Sequence, residues 1–173
     1  MALNKKALDS GLVIRTVSLQ RNLDMFQGWF DRKEPFIIVG PQGCGKSMMM
    51  NHIFRKRKGT TVTTLDCSSQ TTAMNVIQKI QSSCNLTSTT TGRVYRPREG
   101  DRVVLFLKDI NLPKPDQYNT CMLIAFLQQL LTFEGFYDSN LEFLRIENVQ
   151  IVCSMNPSTT VGRHPLSTRY EVH

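Results

Sequence analysis

A short apolar run, Phe36-Ile37-Ile38-Val39, leads directly into Gly40-Pro41-Gln42-Gly43-Cys44-Gly45-Lys46-Ser47 and then into Met48-Met49-Met50-Asn51-His52-Ile53-Phe54. This succession of strand, glycine-rich turn and helix constrains the fold more than any other feature of the chain. The spacing G-x-x-x-x-G-K-[ST] is that of a phosphate-binding loop. Glycines at 40, 43 and 45 are expected to take positive φ, which turns successive N–H groups toward one anion. The helix beginning near Lys46 adds the positive end of its dipole. Lys46 is then placed to reach β- and γ-phosphates, and the Ser47 hydroxyl to sit on Mg²⁺. The expected nucleotide cradle is Gly40 to Ser47 with Met48, Cys44 being a filler of the loop.

Periodicity extends the pattern on both sides. Val17, Leu19, Leu23, Phe26 and Phe30 recur at near-helical spacing, so residues 16–30 are expected to be a helix capped by Ser18. Strands are expected at about 35–40, 61–66, 103–107 and 149–154, with helices at about 46–57, 71–83 and 118–133. Val103-Val104-Leu105-Phe106-Leu107 is apolar without alternation, as in a central strand covered on both faces. Met74, Ile77 and Ile80 should form the core face of one helix, and Leu123, Phe126, Leu127, Leu130 and Leu131 that of the next. The polar stretch 87–95 and the turn at Gly135-Phe136-Tyr137-Asp138 are read as a hairpin or loop and a second short hairpin. Repeated alternation of strand and helix predicts an α/β fold with a parallel sheet and helices on both faces.

Composition narrows the function classes. The net charge of +7 raises nucleic acid as a partner, but its densest cluster, Arg55-Lys56-Arg57-Lys58, falls at a helix C-terminus and has no interleaved aromatic residues. Neither nucleic acid nor membrane is expected as a partner. The absence of a long apolar run makes the cytoplasm the default location. Cys44, Cys67, Cys84, Cys121 and Cys153 lack C-x-x-C spacing, so they indicate neither a zinc site nor a disulfide framework.

Ligands of open parallel sheets sit outside the carboxyl ends of the strands, which brings together the glycine loop, Lys108-Asp109 and Asn156. At those tips the chain carries Leu107-Lys108-Asp109-Ile110-Asn111-Leu112-Pro113, then Gly135-Phe136-Tyr137-Asp138, then Gly162-Arg163-His164-Pro165-Leu166-Ser167-Thr168-Arg169-Tyr170. Together these segments resemble the third AAA+ module of a dynein heavy chain, most nearly the cytoplasmic dynein of retrograde intraflagellar transport. The resemblance covers residues 11–170. It implies a P-loop NTPase fold, the AAA+ large subdomain, with a five-stranded sheet in the order 5-1-4-3-2 and a separate helical lid. The chain ends about where the fifth strand should begin, so residues 1–10 are expected to be a leader and 11–173 a large subdomain without most of its fifth strand and without its lid. The resemblance further implies Gly40 to Ser47 as the Walker A loop, Asp109 in the place of the catalytic glutamate and Asn156 as first sensor of the γ-phosphate. Ile14 and Val17 belong to the stretch that packs on adenine, and Arg169 reaches in trans to the nucleotide of the neighbouring module. Implied partners are neighbouring AAA+ modules of the same heavy chain and, through parts outside these residues, the microtubule. The implied location is cytoplasm, cytoskeleton and cilium or flagellum.

The tip of the third core strand departs from the family pattern of two adjacent acids. Lys108 stands where the first acid orients Mg²⁺, and an ammonium there weakens the metal's hold while attracting phosphates. Asp109 is one methylene shorter than glutamate, and a base withdrawn by about an ångström can lose on the order of a hundredfold in rate. A register in which Asp109 is itself the metal acid also leaves the site without a base. The sequence thus points to a regulatory module binding ATP or ADP, with Mg²⁺ weakly held and slow or absent hydrolysis. Three alternatives stay open: a competent ATPase with Asp109 as base, a stand-alone P-loop switch or kinase, and a structural module that keeps a P-loop. Against the stand-alone switch stands the lack of an Asn-Lys-x-Asp motif; Asn156 as a plain turn residue, Ile14 and Val17 as plain packing residues, and Arg163 and Arg169 as surface arginines are the duller readings.

Overall fold

The computed structural model describes residues 13, 16–90, 92–118 and 120–166. Ile14, Arg169 and the expected leader lie outside the described residues. In chain order the elements are α1 (Val17–Asp31), β1 (Phe36–Val39), α2 (Lys46–Arg55), β2 (Thr60–Asp66), α3 (Ala73–Ser83), β3 (Cys84–Thr89), β4 (Gly92–Pro97), β5 (Arg102–Lys108), α4 (Met122–Phe133), β6 (Gly135–Tyr137), β7 (Phe143–Ile146) and β8 (Val149–Met155).

Four strands form the parallel sheet in the order β1-β8-β5-β2. Counted as first to fourth along the chain, β1, β2, β5 and β8 stand in the order 1-4-3-2, as the resemblance implied for those four. β5 lies between β2 and β8, and its side chains divide by the period of two. Val103, Leu105 and Leu107 join one buried cluster with Val76 and Ile80 of α3 and Leu123 and Leu127 of α4. Val104 and Phe106 join the other, with Leu23, Phe26 and Phe30 of α1 and Met50 and Phe54 of α2. Burial on both faces is why this strand reads as one unbroken apolar run.

A second sheet, β3-β4-β7-β6, is built from the two expected hairpins. Each hairpin is antiparallel, and β4 runs parallel to β7 through Arg93–Leu144, Val94–Arg145 and Tyr95–Ile146. The joining of the hairpins was not foreseen, because partners some fifty positions apart leave no local pattern. Tyr95 and Phe136 stack across the junction with centroids 6.1 Å apart, and Phe126 of α4 meets Phe136 edge-on.

Local chemistry corrects several expectations. The cap of α1 is Thr16, whose Oγ1 accepts from Leu19 N at 3.3 Å; Ser18 already lies inside the first turn, where its side chain cannot serve as cap. Met74 is 58% exposed, and Val76 takes the core position on α3 instead. α4 starts at Met122, later than expected, because Asp116 Oδ1 accepts the N–H groups of Tyr118 and Thr120 at 2.9 and 2.8 Å and holds a turn there. Ile124 joins its buried face, while Phe126 and Leu131 are only partly buried. Cys67, Cys84 and Cys153 are buried, Cys121 is half-buried, and Cys44 is exposed.

At the amino ends of the strands, polar ties hold the end of α1 to the sheet. Arg102, first residue of β5, donates from Nη1 to Phe30 O at 2.7 Å, and its guanidinium lies 4.1 Å over the Phe30 ring. Gln150, second residue of β8, donates to Glu34 O at 2.7 Å. No helix among the described residues is long and apolar enough to cross a membrane.

Candidate functional site

Three strand tips converge on a cleft of about 320 Å³ at the carboxyl edge of the parallel sheet, walled by the glycine loop, Lys108, Asp109, Ser154, Asn156 and Arg163. The loop after β1 bends through Gly43 (φ 81°) and Gly45 (φ 86°), and Gly45 is the N-cap of α2. Both angles are in the left-handed region that favours glycine. Gly40 differs from expectation: its φ is not positive, and its requirement is for space, since a Cβ there would stand 2.9 Å from Cys44 Sγ.

Lys46 folds back into its own loop. Its Nζ donates to Gly40 O at 2.6 Å, Pro41 O at 2.9 Å and Asn156 Oδ1 at 2.8 Å. The ammonium is thereby held at the cleft by two carbonyls and by the residue expected to sense a γ-phosphate. Asn156 follows the last residue of β8 and is 3% exposed. Its backbone carbonyl accepts from Asn111 Nδ2 at 2.7 Å. Asn111, 2% exposed, also accepts His164 N on its own carbonyl at 3.0 Å. This one side chain and its carbonyl stitch the loop after β5 to the loop after β8. The sequence reading passed over Asn111; the available signal was a polar residue between Ile110 and Leu112 at a strand tip.

Asp109 leaves β5 with φ 58°, a left-handed conformation that Asp adopts more readily than most residues. One of its carboxylate oxygens lies 3.1 Å from Arg163 Nη1. The Arg163 side chain is 12% exposed, so it is an inward-facing residue of the cleft and not a surface arginine. Lys108 lines the same cleft, and its Nζ lies 2.9 Å from Asp66 Oδ1 at the end of β2. Among the lining residues, three cations thus face one carboxylate, an arrangement that attracts a polyanion.

Beneath the tips, burial pushes the Cys67 thiol up to about 12, with Cys153 and the Asp109 carboxylate adding to the rise. That thiol is a packing group and not a nucleophile. Val17 is 72% exposed and does not line the cleft, so a core-packing role for it is overturned. Mg²⁺ finds few donors here: no group of three or more His, Cys, Asp or Glu that could hold a metal ion occurs among the described residues. The Ser47 hydroxyl and Asp109 fit an ion carried mainly by phosphates and water, the usual manner of Mg²⁺ binding.

A parallel sheet with a P-loop after its first strand and an asparagine at the tip of the adjacent strand defines a P-loop protein of the AAA+ class. The family described as the P-loop containing dynein motor region matches residues 2–173. Cytoplasmic dynein 2 heavy chain 1 of Tripneustes gratilla is 54% identical over 160 residues, covering 91% of this chain and 4% of the sea-urchin protein. The human protein of the same name is 52% identical over 160 residues, with 91% and 4% covered, and that of Chlamydomonas reinhardtii 51% over 163 residues, with 94% and 4% covered. A crystal structure of a protein assigned as an ATPase from Cytophaga hutchinsonii aligns with TM-score 0.56 at 11% identity, over 96% of this chain and 47% of that one; it speaks for the fold alone. The chain belongs to the dynein heavy chain family, as a P-loop AAA+ region of the motor. It spans about 4% of the length of these relatives.

Proposed function

We propose that this chain is the third AAA+ module of a dynein heavy chain of the cytoplasmic dynein 2 kind, and that it works as a regulatory site binding ATP or ADP with slow or absent hydrolysis. The single observation carrying this reading is an intact P-loop facing a strand tip where Lys108 and Asp109 line the cleft and Asp109 lies 3.1 Å from Arg163; the resemblance puts a metal-orienting acid at the position of Lys108. In this reading, residues 11–173 make a large subdomain, Gly40 to Met48 cradle the phosphates, Lys46 and Asn156 contact the terminal phosphate, and Ser47 contributes to Mg²⁺. Arg169 serves the nucleotide of the neighbouring module, and Ile14 and Val17 flank adenine. The parent protein is a minus-end-directed microtubule motor of ciliary or flagellar transport, and occupancy at this site is passed to adjoining modules.

The test is made in an assembled motor whose other nucleotide sites are disabled. ATP and ADP bind there, Lys46→Ala removes binding, and turnover stays at background. Steady turnover that disappears in Lys46→Ala refutes the regulatory reading and supports a second one, a competent ATPase with Asp109 as base. That second reading is favoured by the position of Asp109 on the cleft wall.

A further inference from the structure

Arg163 is held more firmly than a loop arginine needs to be. Its N–H donates to Thr160 O at 3.1 Å, and the next residue is bonded through His164 N to Asn111, which in turn is bonded to Asn156. The side chain is 12% exposed, and it points at Asp109, the one carboxylate among the described residues lining the cleft. Yet the contact is incomplete. Nη1 lies 3.1 Å from Asp109 Oδ1 but does not meet it with hydrogen-bond geometry, and among the described residues this buried nitrogen makes no other hydrogen bond. A buried guanidinium donor without an aligned acceptor is costly, and it gains from any better acceptor brought into reach.

A terminal phosphate is such an acceptor: it carries more charge than a carboxylate and offers three oxygens to a planar fork. Lys46 and Lys108 line the same space, so the field that draws a phosphate in also draws it toward Arg163. We infer that Arg163 is a positioning residue with two partners: it holds the Asp109 carboxylate back while the terminal-phosphate position is empty, and exchanges it for the γ-phosphate when a triphosphate binds. The inference rests on the nucleotide-binding reading above and deepens it, since it assigns to this chain's own arginine the discrimination of triphosphate from diphosphate.

Calorimetric titration of the purified protein with ATP and with ADP, each with Mg²⁺, tests the exchange in wild type, Arg163→Ala, Arg163→Lys, Asp109→Asn and the Ala/Asn double variant. Arg163→Ala is expected to weaken ATP roughly tenfold or more while ADP changes less than about threefold. Arg163→Lys restores part of the ATP affinity, because charge returns without the fork. Asp109→Asn, titrated also without Mg²⁺ so that its loss as a metal donor does not count, removes the competing anion and strengthens ATP binding a few-fold, on the order of one charge-assisted contact, but only when Arg163 is present. Equal weakening of ATP and ADP by Arg163→Ala overturns the inference, as does an Asp109→Asn effect that is the same with and without Arg163. If Arg163→Ala does not fold, Arg163→Lys and Asp109→Asn carry the comparison: an unchanged ATP-to-ADP ratio in both overturns it. Wild type binding neither nucleotide is a different result, for it removes the nucleotide reading itself and the inference with it.

Discussion

Two glycines illustrate how differently a missing side chain can matter. At Gly40 an added Cβ meets Cys44 Sγ at 2.9 Å, a side-chain atom in an exposed loop residue. At Gly100 it meets Gly59 O at 2.5 Å, where φ is 75°. The first clash can be relieved by its neighbour; the second is with backbone and adds conformational strain. Thermal melts should therefore place Gly100→Ala at least about 2 kcal/mol below wild type. Gly40→Ala should cost about 1 kcal/mol and be largely rescued by Cys44→Ala. A rescue of Gly100→Ala by any side-chain truncation contradicts this account. At this scale the P-loop could be read in advance, because its residues are contiguous and each has a mechanical reason. The meeting of Asp109 with Arg163, and of Asn111 with Asn156, could not: both depend on two loops, after β5 and after β8, folding over the same tip.

Among the elements, α3 shows why periodicity picks a face only to within a residue or two. Met74, Ile77 and Ile80 satisfy helical spacing as well as Val76 and Ile80 do, and the choice between them is made by the sheet beneath and not by the helix. Val76 has no exposed surface, whereas Met74 is mostly in water. Chemical denaturation should show Val76→Ala losing about 2 kcal/mol and Met74→Ala less than about 0.5 kcal/mol. The reverse order would return α3 to the face expected from spacing. For β5, burial on both faces gives Phe106→Ala a cost of about 3–5 kcal/mol, read from the same denaturation curves. The strands of the parallel sheet were legible because β1, β5 and β8 are dense apolar runs and β2 is rich in β-branched threonine and valine. The second sheet was not, because β6 and β7 are short and β4 and β7 pair between chain-distant hairpins, where Tyr95 stacks on Phe136.

For the molecule as a whole, alkaline pH should loosen the fold from within the core. Cys67 and Cys84 are pushed up to about 12 and about 11 by burial, from an ordinary value of 9.0. Above pH 9.0 the unfolded chain releases thiol protons that the folded chain keeps. Stability is thus complete below that pH and declines as pH climbs toward the folded values. Melting temperatures followed across this window should fall, and Cys67→Ala should flatten the slope. An unchanged slope in Cys67→Ala would place the alkaline transition elsewhere. The fold class was legible at this scale because four strands alternating with helices and a P-loop admit few arrangements, whereas the ties at the opposite edge, Arg102 to Phe30 and Gln150 to Glu34, carry no motif.

Those ties have a mechanical consequence. β5 and β8 each end at the phosphate cleft and each begin at an anchor on the last turn of α1 or the connection after it, seven residues and roughly 23 Å away. A hydrogen-bonded strand transmits axial pull with little stretch, so two parallel cords join the anion pocket to the foot of a helix on the far rim. Whatever tugs on either end is felt at the other.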